Sequence, residues 1–272
     1  MYDFYLGSRA EIFQDEEKFL LSVKRMLPRW LNSIPDSEYL ALHQLLNSFD
    51  HSKPLNLAET GTGSSTIVLL YHAMKSKGIL FSWDIANPKG AELRSIINDS
   101  LCTLFEEPLW KFWKFVASSS TSPYLGIPIL KEQNLSIDLC FCDSDHTWET
   151  LGTELDLLSG VLKNGAIVTI DDANYRFKRH NTAFINMFRK KLGLDPISSI
   201  DDNQCRTFGE EAESLLCSKF KTVESLNTSY STSCRKDLFF SYYSNDREQM
   251  AKEGMELFSE LENRFLAWKI HR

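Results

Sequence analysis

Two short apolar runs, residues 137–143 (IDLCFCD) and 166–171 (AIVTID), each end in acidic residues and are separated by about one helix's length of chain. A strand, a crossover helix and a second strand make a right-handed βαβ unit, which requires a parallel sheet. The linking segment carries Trp148, Leu151, Leu155, Leu158 and Leu162 at helical spacing and stops at Lys163-Asn164-Gly165. In an open parallel sheet, ligands bind beyond the carboxyl ends of the strands. Asp143, Asp145, Asp171 and Asp172 therefore stand where such a fold places its chemistry.

The same alternation runs through most of the chain. Helical spacing is expected at 15–27 and 35–48, followed by a strand at 55–59, a helix at 65–77, a strand at 79–84, a helix at 89–105 and a strand at 114–117. Beyond Asp172, a helix is expected at 182–192 and strands at 221–226 and 237–243, the last two as an edge hairpin. This predicts an α/β, Rossmann-like, seven-stranded and mostly parallel sheet with helices on both faces. Residues 1–50 form an N-terminal helical cover, 51–245 the sheet domain and 246–272 a C-terminal helix. That last helix sets Ala251, Met255, Phe258, Leu261, Phe265 and Trp268 on one stripe, which either packs on its own sheet or on the N-terminal helices, or joins two copies as a homodimer.

A chain of 272 residues with 43% hydrophobic composition can bury a full core. Its net charge of −7 argues against nucleic acid and anionic membranes, both of which select basic surfaces, and favours small-molecule partners. No stretch approaches the roughly 18 apolar residues of a membrane span, and the acidic start is unlike a signal peptide, so a cytoplasmic protein is expected. The six cysteines contain no C-x-x-C pair and read as buried free thiols.

The turn after the first strand reads Glu59-Thr60-Gly61-Thr62-Gly63-Ser64-Ser65-Thr66. Glycines there let the backbone turn tightly, close to a ligand, beside the unpaired amides of a helix N-terminus. A Walker A loop needs a lysine before its Ser/Thr, and none is present. A dinucleotide fingerprint needs a third small residue where this chain has Thr66. The acidic Glu59 repels pyrophosphate but suits a ligand with an ammonium group, such as S-adenosylmethionine. Asp84, closing the second strand, is placed to accept from ribose hydroxyls or to cap the next helix. Ser118, Ser119 and Ser120 follow the third strand, either facing an adenine edge or simply forming a loop.

With the Asp143-Ser144-Asp145-His146 and Asp171-Asp172 segments added in that order, the chain resembles the class I S-adenosylmethionine-dependent methyltransferases, across about residues 40–245. Within them it looks most like the macrocin O-methyltransferase and cephalosporin-hydroxylase-like branch. The resemblance implies a seven-stranded sheet whose last strand is antiparallel. It also implies cofactor contacts at Glu59, Gly61, Gly63, Ser65, Asp84, Ser119 and Asp143.

In metal-dependent O-methyltransferases of that superfamily, one acid from strand four and two adjacent residues from strand five bind magnesium, and Asp143, Asp171 and Asp172 match those positions. Unit charges about 4 Å apart repel by about 4 kcal/mol at an effective dielectric near 20, so three converging carboxylates need a cation, protons or strong donors. Successive strand residues face opposite ways, so Asp171 and Asp172 share a site only if the strand ends between them. His146 matches the place of the catalytic lysine in catechol-type enzymes and is a candidate general base; the other reading bonds it to backbone at the start of its helix. Arg176, Lys178, Arg179 and His180 form either a clamp for an anionic substrate group or a solvated turn. The expected activity is magnesium-assisted O-methylation of a small-molecule hydroxyl, on a sugar or secondary metabolite. The rivals are a metal-independent N- or C-methyltransferase and a non-catalytic binding module.

Overall fold

The computed structural model describes residues 8–28, 30–32, 34–174, 186–187, 189–191, 193–196, 206–230 and 265–272. The elements in chain order are α1 (Arg9–Gln14), α2 (Glu16–Lys24), α3 (Asp36–Asn47), β1 (Asn56–Thr60), α4 (Ser64–Lys75), β2 (Ile79–Trp83) and α5 (Asn87–Ile97). There follow β3 (Trp113–Val116), α6 (Pro128–Glu132), β4 (Ile137–Cys142), α7 (Trp148–Ser159), β5 (Leu162–Ile170), α8 (Phe208–Lys219), β6 (Thr222–Leu226) and β7 (Leu266–His271). The seven strands form one sheet in the order β3-β2-β1-β4-β5-β7-β6. β1 to β5 pair in parallel, while β7 runs antiparallel to both β5 and β6.

Strand periodicity divides the core into two layers. Leu57, Leu139, Phe141 and Ile167 face a layer built with α2, α3 and α4. Ala58, Cys140, Cys142, Val168 and Ile170 face the opposite layer, where Leu151, Leu155 and Leu158 of α7 and Phe208, Ala212 and Leu216 of α8 meet them. At about 25 cal/mol per Å² of apolar surface removed from water, these layers dominate the folding free energy. Cys140 and Cys142 are buried free thiols on one strand face, whereas Cys217 is exposed and departs from that expectation.

Helix starts follow their capping chemistry. Ser8 and Glu11 cap α1 reciprocally, Asp15 accepts from Lys18 N at α2, and Pro35 precedes α3. The N-terminal helices are joined to α4 by a run of imidazoles. His43 Nδ1 lies 2.9 Å from His72 Nε2, and His72 Nδ1 lies 2.8 Å from His51 Nε2. A neutral imidazole offers one donor and one acceptor, so the run is satisfied without charge. Burial, the largest influence on each ring, lowers all three pKa values, that of His43 to about 4.

The C-terminal end corrects the sequence reading. The expected helix 246–272 ends instead in a strand, β7, inserted between β5 and β6; Phe265 and Ala267 face one core layer and Trp268 and Ile270 the other. Short apolar runs satisfy helical and strand periods alike, and here the ladder to Val168 and Ser225 decides. Phe265 and Trp268, on the stripe expected either to pack within the chain or to join two copies, are buried in the protein's own core. The remainder of that stripe, the expected strand 237–243 and the basic residues Arg176, Lys178, Arg179 and His180 lie outside the described residues, as does most of the expected helix 182–192. The sheet therefore draws on residues up to 271, beyond the expected boundary at 245. Helix α7 stops at Ser159, so Leu162 belongs to β5 rather than to the helix. Helix α8 was not expected, although Thr207 and Glu210 form a capping box at its start. Among the described residues no helix is long and apolar enough to cross a membrane.

Candidate active site

The tips of β1, β2, β4 and β5 converge at the carboxyl edge of the sheet. Gly61 has φ +86°, and a Cβ there would lie 1.8 Å from the carbonyl oxygen of Asp143. Only glycine permits this left-handed turn and lets two strand tips come so close. Gly61 N donates to Trp83 O at 2.7 Å and Asp143 N to Thr60 O at 2.8 Å, which extends the ladder into the turn. Gly63 then opens α4, and the buried Ser64 Oγ in its first turn has no hydrogen-bond partner among the described residues.

Asp84, at the end of β2, gathers four donors. Thr62 N and Thr62 Oγ1 reach Oδ2 at 2.9 Å, Lys89 Nζ reaches it at 3.0 Å, and Ala86 N reaches Oδ1 at 2.7 Å. Burial raises the Asp84 pKa, but the two amides and Lys89 outweigh it and hold the carboxyl below its usual range. Asp84 is thus an ionised acceptor beside the glycine turn. Ser119 is exposed in the loop after β3, its hydroxyl 2.9 Å from that of Thr121.

Two expected cofactor contacts, Glu59 and Ser65, are buried and bonded to each other. Glu59 is fully buried and accepts from Ser82 Oγ (2.6 Å), Thr66 Oγ1 (2.7 Å) and Ser65 Oγ (3.0 Å). These bonds tie β1 to β2 and to the first turn of α4, so Glu59 and Ser65 brace the glycine turn. Burial, the largest influence, raises Glu59 to about 7 despite these hydroxyls.

At the tips of β4 and β5, His146 stands between two carboxylates. Its Nδ1 is 2.6 Å from Asp172 Oδ2 and its Nε2 is 4.0 Å from Asp143 Oδ1. Both His146 (φ 53°) and Asp172 (φ 51°) have left-handed backbone, a costly conformation that clusters at functional sites. Strand β5 ends at Ile170, and the left-handed turn brings Asp172 round to the side that Asp143 faces. Burial disfavours the imidazolium, but the hydrogen bond and charge of Asp172, with the charges of Asp143 and Asp171, outweigh it and raise His146 to about 9. Asp145 does not join the cluster. It accepts from Thr147 N, Thr147 Oγ1 and Thr150 Oγ1, fixing the start of α7.

The acids do not fit the expected magnesium site as they are arranged. The imidazole occupies the space between Asp143 and Asp172, and Asp171 Oδ1 accepts the Asp172 amide at 2.7 Å. Among the described residues no group of three or more His, Cys, Asp or Glu side chains is disposed to hold a metal ion.

Sequence reasoning missed Glu154, Thr62 and Lys89. Glu154 was legible as an acid on the apolar face of α7, beside Leu151, Leu155 and Leu158.

Residues 58–173, from β1 to just past β5, match a family model described as a methyltransferase domain. Over 97% of both chains, the structure is similar to a Staphylococcus aureus protein assigned as a caffeoyl-CoA O-methyltransferase, with a TM-score of 0.53 and 12% identity. The β1–β5 region is thus similar to a methyltransferase domain. The expected fold, a mostly parallel seven-stranded sheet with an antiparallel last strand, is the one observed. An O-methyltransferase from Bacillus cereus, crystallised with S-adenosylhomocysteine, is also similar, with a TM-score of 0.45 and 15% identity over 83% of this chain and 91% of that one. No curated protein matches the sequence.

Proposed function

We propose that this chain is an S-adenosylmethionine-dependent methyltransferase acting on a hydroxyl group of a small molecule, on a sugar or secondary metabolite, and that His146 receives the hydroxyl proton. The observation that carries the reading is the Asp172–His146–Asp143 arrangement beside the glycine turn. Gly61, Gly63, Asp84, Ser119 and Asp143 would surround the cofactor, with Asp84 taking the ribose hydroxyls as Lys89 gives way. The orphaned Ser64 hydroxyl and the close Gly61–Asp143 backbone approach fit a ligand at this turn.

The cofactor, when bound, supplies a methyl group carried on a cationic sulfonium. The chain supplies position and proton handling. Asp172 holds His146 Nδ1, which leaves Nε2 as the nitrogen that exchanges a proton with the acceptor. A neutral base is needed, yet the raised pKa keeps His146 protonated at neutral pH. A second cation beside the same acids repels the imidazolium, so charge in the occupied site favours the neutral ring. No step is assigned to magnesium, because His146 already answers the acidic charge.

The test is an acceptor screen with radiolabelled S-adenosylmethionine, run with and without chelator. Methyl transfer to oxygen that His146→Ala abolishes supports the reading. Transfer to nitrogen or carbon, or full activity in His146→Ala, overturns it.

A further inference from the structure

The Glu154 carboxylate, buried at 0% exposure in the middle of α7, receives three hydroxyl donors from three separate strand tips. Thr60 Oγ1 at the end of β1 donates to Oε2 at 3.1 Å, Ser144 Oγ after β4 donates to the same oxygen at 3.2 Å, and Ser120 Oγ after β3 donates to Oε1 at 2.5 Å. Each donor adjoins a candidate site residue: Thr60 precedes Gly61, Ser120 follows Ser119, and Ser144 follows Asp143. The bond from Asp143 N to Thr60 O already ties the β1 and β4 tips by backbone, and Glu154 adds side-chain ties that bring in the loop after β3.

We propose that Glu154 is the positioning residue of the cofactor cleft, a single buried carboxylate whose three hydroxyl bonds hold the β1, β3 and β4 tips in one register. It touches neither cofactor nor acceptor in this role, and acts through the segments it joins. A buried acid with no cationic partner among the described residues is costly, and burial, the largest influence, raises Glu154 to about 7 against the pull of its three hydroxyls. A hydrocarbon side chain would fill the same apolar face of α7 without that cost, so the carboxylate is kept for its bonds.

The inference rests on the cofactor reading. The experiment is a calorimetric titration of S-adenosylhomocysteine into the full-length wild type, Glu154→Ala, Glu154→Gln and the double variant Ser120→Ala/Ser144→Ala, well below each melting temperature, with thermal melts alongside. Glu154→Ala is expected to weaken binding by about tenfold or more, since loosened loops no longer present a formed site. Glu154→Gln is expected to stay within about threefold, because its amide can bond all three hydroxyls, which rotate to donate or accept. The double variant keeps Glu154 but removes two of its ties, and is expected to fall between these two. A merely structural role would lower melting temperatures while leaving affinity unchanged. Wild-type affinity in Glu154→Ala, or in the double variant should Glu154→Ala not fold, overturns the inference. Absence of binding by wild-type protein overturns the cofactor reading and this inference with it.

Discussion

His146 Nδ1 and Asp172 Oδ2 are 2.6 Å apart, and each residue reaches the other from a left-handed backbone at the tip of its strand. Two non-glycine residues in that conformation cost of order 1–3 kcal/mol each. Their pairing carries information that spacing along the chain does not. The Asp-x-Asp-His segment and the Asp-Asp pair meet because both loops turn the same uncommon way. The imidazole then takes the place that three clustered acids would otherwise leave to an external cation.

This geometry sets the pH dependence of turnover. Asp172→Asn keeps a residue that tolerates left-handed backbone but removes the anion. Without it the imidazolium is less favoured, so the His146 pKa falls from about 9. The rising limb of kcat against pH should move to lower pH in Asp172→Asn, and kcat should drop by about 10²-fold as the base loses its orientation. His146→Ala should remove the limb and lower kcat by about 10²–10⁴-fold while leaving S-adenosylhomocysteine affinity within about threefold. An unchanged limb in Asp172→Asn would exclude His146 as its source.

Chelation separates the imidazole from the metal. With His146 between Asp143 and Asp172, activity should persist in excess EDTA and show no rise on adding magnesium. Asp143→Ala should still lower turnover strongly, because it removes one of the anions that hold His146. Loss of activity on chelation, restored by magnesium, would show that the loop rearranges around a cation.

Occupancy of the site should also move a proton. A cationic sulfonium opposes the His146 imidazolium, whereas the thioether of S-adenosylhomocysteine carries no such charge. Calorimetric titrations in buffers of different ionisation enthalpy should therefore show proton release with S-adenosylmethionine, less with S-adenosylhomocysteine, and the difference should vanish in His146→Ala. Equal release by both ligands in the wild type would disconnect His146 from the sulfonium.

The alternation of strands and helices was legible because β4 and β5 are largely apolar on both faces and the helix between them, α7, is amphipathic. The glycine turn, Asp84 and the two acidic tips were legible for the same reason, since topology puts strand ends at the cleft. What was not legible depended on side-chain direction. Glu59 lies one residue before the tip and faces inward to Ser82, and Asp145 spends its oxygens on Thr147 and Thr150. Glu154 gains its meaning only when β1, β3 and β4 bring Thr60, Ser120 and Ser144 together. The β7 strand was misread because Phe265 and Trp268 satisfy a helical stripe, and only the ladder that sets Trp268 between Val168 and Ser225 decides.

Gly61→Ala tests the strand-tip contact directly. The added methyl would meet the Asp143 carbonyl at 1.8 Å on a residue with φ +86°, and backbone cannot yield as a flexible side chain does. The expected cost exceeds about 2 kcal/mol, read as a fall in urea midpoint, with S-adenosylhomocysteine binding lost. Near-wild-type affinity in this variant would show that the turn relaxes away from β4.

Stability should depend on pH through two opposed sets of buried groups. His43 has its pKa lowered from 6.5 to about 4, so it contributes stability above pH 6.5 that is lost as pH falls toward 4. At about 1.4 kcal/mol per unit, this one ring accounts for about 3 kcal/mol, and His51 and His72 act in the same direction. Glu59 and Glu154 have pKa values raised from 4.5 to about 7, so their contribution is present below pH 4.5 and is lost as pH rises toward 7. Between pH 4.5 and 6.5 the two slopes oppose each other, and the unfolding free energy should be flatter there than either set alone would make it. Urea titrations across pH 4 to 8 should show that Glu59→Gln removes part of the loss on the neutral side and leaves the acid side unchanged. A neutral limb that persists at full size in Glu59→Gln and in Glu154→Gln would assign it to other groups.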